Sequence, residues 1–296
     1  MSVPQRIAIT GASGLIGSAL VGHLKSEGHT VQRLVRRATV SSDEIQWDPK
    51  TGYVDIEALR GVDAVIHLAG VGVSDKRCTK KFKSEILNSR LLGTTAIAKA
   101  VSEVKPQVFI SASAIGWYGD SGNRAVIESD SSGNDFLAAV CREWEAAADL
   151  AGDVRTVKLR TGLVLDPTGG ALGRMLPLFR FGLGGKLGSG KQWWSWITLH
   201  DVVRAIIFSL EKSVSGPVNL TSPNPVTNQE FTAALARAMK RPALFPAPAI
   251  ALKIALGGFS SEVLGSKKVM PSALTDAEFT WDYPHISTAL QALVEH

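Results

Sequence analysis

Arg6-Ile-Ala-Ile-Thr-Gly-Ala-Ser-Gly-Leu-Ile-Gly17 decides the fold. A short apolar run breaks at a glycine, and from Leu15 to Glu27 the apolar residues recur at helical spacing until Gly28 offers a stop. The order is strand, turn, helix. Gly11, Gly14 and Gly17 sit where such a turn needs them: for tight turning, for close approach of a pyrophosphate, and for close packing of the helix. Ser13, Leu15 and Ile16 complete the loop, and the amides that open the helix favour an anion. The competing reading is a glycine-rich turn that holds no ligand.

Outward from this unit, strands and helices alternate. Thr30 to Val35 reads as a strand, and Asp63 to Ala69 is nearly continuous in apolar residues, as parallel strands covered on both faces are. Ser89 to Val104 predicts a helix, Gln107 to Ser111 a strand, Phe136 to Ala151 a helix and Arg155 to Thr161 a strand. That alternation predicts an α/β fold, a Rossmann-type doubly wound parallel sheet over residues 1–165. After Gly162 the texture changes to glycine-punctuated loops that end in Gln192-Trp-Trp-Ser-Trp196. Helix-like Leu199 to Lys212 and strand-like Pro217 to Thr221 return to the sheet, so that residues 166–296 form a smaller C-terminal lobe with returns near 197–222.

Composition narrows the function. The 296 residues carry 32 Lys and Arg against 27 Asp and Glu, a net charge of +5, with the basic residues scattered rather than striped among aromatics. Nucleic acid is therefore not an expected partner, whereas an anionic small molecule is. Cys78 and Cys141 stand far apart without Cys-x-x-Cys spacing, and the six histidines include no pair at ligand spacing, so neither a disulfide framework nor a metal is expected. The start of the chain leaves no room for a leader peptide, and the most apolar later stretch, Ala247 to Gly257, is too short to span a bilayer. A cytoplasmic protein without a membrane partner is expected; oligomeric state is not legible.

The end of the second strand reads Arg33-Leu-Val-Arg36-Arg37. Proteins that prefer NAD place a carboxylate there for the ribose hydroxyls, whereas a guanidinium pairs with the 2′-phosphate of NADP. Arg36 and Arg37 therefore favour NADP, with a solvated basic turn as the other reading.

With these residues the chain resembles the extended short-chain dehydrogenase/reductase superfamily. The resemblance rests on Thr10 to Gly17, His67-Leu68-Ala69-Gly70, Gly93-Thr94 and Ser111-Ala-Ser-Ala-Ile-Gly-Trp-Tyr-Gly119. It is most similar to the atypical branch of epimerase family proteins through Ser89-Arg90, Phe136-Leu137, Cys141-Arg-Glu-Trp-Glu145, Gly169-Gly170, Trp196-Ile197 and Phe279-Thr-Trp-Asp-Tyr-Pro284. The resemblance implies an NADP-dependent oxidoreductase or epimerase acting on a small carbonyl or sugar-like compound. It implies that Leu68, Ala69, Gly70, Arg90, Ser111 and Arg160 help hold the cofactor, and that Ser113 and Tyr118 serve as catalytic residues.

The family's Tyr-x-x-x-Lys pair is absent. Alignment through Glu145 puts Leu137 and Cys141 in its place, and neither supplies a tuned proton donor at neutral pH. A non-catalytic NADP(H) sensor or scaffold for a protein partner is the alternative. Several residues have bland readings too: His67 as a buried structural histidine, Ser113 as a strand-end cap, Tyr118 as a packing residue. Trp193, Trp194 and Trp196 form either a substrate wall or packing between lobes, and Asp201 is expected to cap a helix.

Overall fold

The computed structural model describes residues 3–73 and 79–295, so Cys78 lies outside the described residues. Eight strands form the main sheet: β1 (Arg6–Thr10), β2 (Thr30–Val35), β3 (Glu44–Asp48), β4 (Tyr53–Val54), β5 (Ala64–His67), β6 (Val108–Ala114), β7 (Thr156–Thr161) and β8 (Gly216–Leu220). Their spatial order is β8-β7-β6-β5-β1-β2-β3-β4, and every pairing is parallel except that of β3 with β4. The order reverses between β1 and β5, which opens a crevice at the carboxyl ends of those strands, the position where doubly wound sheets bind ligands.

Alternation along each strand builds two cores. Ile7, Ile9, Ala64, Ile66, Val108 and Ile110 face one side, while Ala8, Val65 and Phe109 face the other. The first side is covered by α1 (Leu15–Ser26), and the second by α2 (Lys80–Val104) and α3 (Phe136–Ala148). Each fully buried Leu, Ile or Phe contributes about 1.5–3 kcal/mol, so the two faces supply most of the drive to fold.

Three expectations need correction. The helix expected from Ser89 begins at Lys80, where Thr79 caps it by accepting from the Phe82 amide at 3.2 Å. The stretch after Gly162 expected to be loop contains α4 (Gly170–Arg180), a helix that carries Pro177 in its interior. Asp201 does not cap α5 (Leu199–Glu211): Thr198 does, accepting from the Asp201 amide at 3.0 Å. The Asp201 carboxylate instead accepts the amides of Asp282 and Tyr283, each at 3.0 Å, and so fastens the chain's tail to the main sheet's covering helix.

The C-terminal part has its own core, in which Leu172, Leu176 and Phe179 of α4 meet Trp196, Phe231, Leu235 and Leu290. Strand Leu163–Asp166 pairs in parallel with Trp196–Thr198, so the chain crosses between the two cores more than once and the expected boundary at residue 165 falls inside a strand. Among the described residues, no helix is long and apolar enough to cross a membrane.

Candidate active site

The three glycines of the loop answer to different neighbours. Gly11 has φ +69°, and a Cβ there would lie 2.8 Å from the Leu68 carbonyl carbon and 2.9 Å from the Ala69 nitrogen. At Gly17 a Cβ would stand 2.1 Å from the Gly11 oxygen. Both are therefore required by the protein itself. Gly14 is exposed, and a Cβ there would meet only the Gly11 oxygen, at 3.3 Å. Since the first helical bond runs from the Ser18 amide to the Gly14 oxygen, the amides of Leu15, Ile16 and Gly17 precede it and stay available to an anion. A volume left open beside free amides is what a diphosphate needs, and Ser13 lies exposed at its edge.

Behind the loop, the Thr10 hydroxyl accepts the amides of Leu68 (3.1 Å) and Ala69 (3.2 Å). Its own proton then goes to Nδ1 of His67 at 2.8 Å, which puts the imidazole proton on Nε2. Burial pushes the His67 pKa down to about 3, and Nε2 is buried without a hydrogen-bond partner among the described residues. The ring stands edge-on to Trp47 at 5.9 Å, over Gly93, where a Cβ would lie 3.6 Å from Cε1. His67 is thus a structural residue that fixes the Leu68-Ala69 turn against the glycine loop. Beyond that turn, Nη1 of Arg90 donates to the Val71 (2.9 Å) and Ile86 (3.2 Å) carbonyls, and its guanidinium lies 4.7 Å over Trp144. Gly70 rests against that side chain.

At the end of β2 the arginines part company. Arg37 makes a bidentate pair with Glu44 at 2.6 and 2.8 Å, and these bonds hold the Glu44 carboxyl below the usual range. Arg36 is exposed and has no ion-pair partner among the described residues. Among the described residues, Arg36 is thus the arginine at the end of β2 that has no acidic partner.

Ser113 ends β6 in a buried network. Its hydroxyl donates to Glu145 at 2.7 Å, and Arg160 grips the same carboxylate through Nε (2.8 Å) and Nη2 (3.0 Å). Nη1 of Arg160 donates to the Tyr118 hydroxyl and to the Glu128 carbonyl, each at 3.0 Å, and Tyr118 donates to Asn219 at 2.7 Å. The guanidinium also lies 3.9 Å from the centre of the Trp117 ring. Arg160 was expected against the cofactor, yet it is 2% exposed and most of its donors are taken up inside the protein. Ser111, expected there too, is 1% exposed and turned to the Ala112 carbonyl. Burial pushes the Tyr118 pKa up to about 12.

Leu137, Cys141 and Glu145 are one helical turn apart on α3 and face the end of β6. A Cβ at Gly116 would meet the Leu137 Cβ at 3.4 Å and the Cys141 Sγ at 3.5 Å. Cys141 donates to the Ala114 carbonyl at 3.6 Å, and burial pushes its pKa up to about 12. The two positions aligned with Tyr and Lys thus adjoin Ala114 and Gly116 at the end of β6 and carry no proton chemistry near neutral pH. In sequence Glu145 serves only as an alignment anchor; an acidic residue on the apolar face of a helix, with an arginine inside strand β7, is the signal of a buried pair.

The tryptophans pack between elements. Trp196 is fully buried and donates to the Asn224 carbonyl at 3.1 Å, Trp194 donates to the Val263 carbonyl at 3.4 Å, and Trp193 to Asn123 at 3.1 Å. His200, Asp201 and Asp282 bring ligand atoms within 4.8 Å of one another, but Arg204 donates to Asp201 at 3.1 Å and pairs with Asp282 at 3.2 Å, so a guanidinium already supplies the positive charge there.

Comparison with known proteins shows the family. The model of the NAD dependent epimerase/dehydratase family matches residues 7–221, and a domain of unknown function, DUF1731, matches residues 247–293. Epimerase family protein Mb2239 of Mycobacterium bovis is 46% identical over 288 residues, 96% of either chain. The chloroplastic SDR39U1 homologue of Arabidopsis thaliana is 37% identical, over 98% of this chain and 86% of its own length. The crystal structure of human epimerase family protein SDR39U1 (isoform 2) with NADPH superposes with a TM-score of 0.91 at 32% identity, over 98% of this chain and 99% of that one. The chain belongs to the NAD dependent epimerase/dehydratase family.

Proposed function

We propose that this protein binds NADPH at the carboxyl ends of β1 and β5 and acts as an oxidoreductase or epimerase on a small carbonyl or sugar-like compound. One observation carries the reading: at Gly14 a side chain would meet no protein atom but the Gly11 oxygen, beside the free amides of Leu15 to Gly17. The residues present fit the dinucleotide. Those amides and Ser13 hold the diphosphate, Arg36 pairs with the 2′-phosphate, and Leu68 to Gly70 line the adenine side. The NADPH in the human SDR39U1 structure supports the choice of cofactor.

When bound, the nicotinamide supplies hydride transfer. Ser113 positions the reacting oxygen. Because its proton is directed to Glu145, its lone pairs remain as acceptors, so it takes a hydrogen bond from a substrate hydroxyl. A proton leaving that hydroxyl passes to Ser113 Oγ as the Ser113 proton passes to Glu145; the reverse relay protonates an alkoxide. Leu137 and Cys141 exclude water but move no proton, so turnover is slow. Those two residues also favour a second reading, a non-catalytic NADPH sensor.

Fluorescence titration with NADPH and NADH, followed by a carbonyl and alcohol panel with wild type and Ser113→Ala, tests the proposal. NADPH-selective binding with turnover lost in Ser113→Ala supports it. Binding without any turnover shifts the reading to the sensor, and failure to bind either dinucleotide refutes both.

A further inference from the structure

Two stretches of the C-terminal part, residues 167–200 and 231–261, contain no Asp or Glu. The first carries Arg174, Arg180, Lys186 and Lys191, and the second Arg237, Lys240, Arg241 and Lys253. The other 24 of the chain's 32 basic residues face all 27 of its acidic ones, so outside these stretches the chain is net negative.

The fold lays the two stretches side by side. After α4 the chain turns back through Leu183, whose amide donates to the Leu178 carbonyl at 2.9 Å. Residues 184–188 then run along 245–247: the Phe245 amide donates to the Gly184 carbonyl at 3.1 Å, the Ala247 amide to Lys186 at 2.9 Å, and the Gly188 amide to Ala247 at 2.9 Å. The helix Ala249–Leu256 starts from the end of this ribbon, with Ala249 beside Gly188. Along the joined surface stand Phe181, 80% exposed, Leu183, Leu244, Phe245, and Ile250, 74% exposed. Arg180, Lys186, Lys240, Arg241 and Lys253 are exposed among them, and none has an ion-pair partner among the described residues.

Exposed apolar side chains gathered in one place mark an interaction site. Two copies meeting through this face would bring like charges together, which disfavours self-association. A protein partner would have to supply a shaped acidic groove for side chains that project this far. A bilayer needs no fixed shape: it takes projecting apolar side chains at its headgroup boundary and offers phosphates to the long basic side chains beside them. The expectation of no membrane partner rests on the lack of a spanning segment, which a surface that lies on a bilayer does not require.

We infer that this face docks on an anionic lipid bilayer, with Phe181, Leu183, Phe245 and Ile250 at the headgroup boundary and the unpaired basic residues on the lipid phosphates. The docking is independent of the proposed cofactor site.

Co-sedimentation with phosphatidylcholine vesicles, with and without about 30% phosphatidylserine, tests it. Wild type binds the anionic vesicles about tenfold or more tighter than the neutral ones, and about 0.5 M salt removes most of that preference. Phe181→Ser with Phe245→Ser, and separately Lys240→Glu with Arg241→Glu, each weaken anionic binding about tenfold or more. All four side chains are exposed, so the melting temperature stays that of wild type and reports that the fold is intact. Equal binding of the two vesicle types, or binding of neither, overturns the inference. Anionic binding that the double serine variant leaves unchanged is adsorption by charge alone and overturns it too. So does a wild-type dimer in light scattering that the serine variant dissociates, which assigns the face to a second copy, or a tighter hold on polyglutamate than on anionic vesicles, which assigns it to an acidic protein.

Discussion

Replacing Gly14 with valine separates cofactor binding from folding, because the two outer glycines of the loop serve the protein and the middle one does not. Gly14 has φ −77° and ψ 173°, extended backbone that a β-branched residue adopts readily. The nearest atom to its Cβ is one backbone oxygen at 3.3 Å, so little must move. As an N-cap change from glycine to an apolar residue, the substitution costs about 1 kcal/mol or less, and the melting temperature falls by no more than about 4 °C. The added methyl groups occupy the volume assigned to the diphosphate, and NADPH affinity falls at least 100-fold, about 2.7 kcal/mol. Gly17→Ala behaves in the opposite way. Its Cβ would stand 2.1 Å from the Gly11 oxygen, so the turn and the helix must separate. Such overpacking costs about 1–3 kcal/mol, a fall of roughly 3–10 °C. Differential scanning fluorimetry without ligand and a fluorescence titration with NADPH measure the two effects. Should Gly14→Val bind NADPH within about threefold of wild type, the space beside the loop is not the cofactor's and the reasoning fails.

Three further outcomes are expected. Arg36→Ala lowers the preference for NADPH over NADH about tenfold while leaving the melting temperature unchanged, whereas Arg37→Ala mainly destabilises the β2–β3 edge by removing the bidentate partner of buried Glu44; parallel cofactor titrations and melting curves distinguish them. His67, with its folded pKa down to about 3 against an ordinary value of 6.5, contributes stability that is fully present above pH 6.5 and lost as pH falls toward 3. Urea unfolding should record a loss of about 2 kcal/mol between pH 7 and pH 5 in wild type, in excess of that in His67→Gln. Leu137→Tyr with Cys141→Lys places a proton donor and a cation at the end of β6, and carbonyl reduction with NADPH gains about 10²-fold or more; no gain would show that these positions do not reach the reacting oxygen.

How much was legible depended on whether a residue's neighbours were local. The unit from Arg6 to Ser26 could be read directly, since glycine spacing and helical periodicity both act within a few residues. Strand β3, Glu44-Ile-Gln-Trp-Asp48, escaped notice because it is short and charged at its ends; only pairing with β2 and the Arg37 clamp make it a strand. The first turns of α2 were obscured by Lys80, Lys81 and Lys83, which oppose the charge expected at a helix start. Pro177 concealed α4. In the site, Ser113 was identifiable from its motif, but its bond to Glu145 joins residues 32 positions apart, and the Tyr118–Asn219 bond spans 101. The difference between Arg36 and Arg37, adjacent in sequence, is set by one carboxylate on the next strand, which is near in sequence but reaches Arg37 only once β3 pairs with β2.

The fastening of the tail by Asp201 bears on how the chain is made. Residues 1–221 contain every strand of the main sheet, yet Leu274 and Phe279 are part of the core on the α1 side, and Trp281 packs against it and donates to the Thr221 carbonyl at 3.0 Å. A nascent chain that has just emerged to residue 221 therefore has its hydrogen-bonded sheet in hand but an open apolar wound on one face. That face closes only when residues 274–283 have emerged and Asp201 captures the amides of Asp282 and Tyr283. The segment up to residue 221 is thus recognisable by its strands, but part of the apolar core that covers them is supplied by residues beyond it.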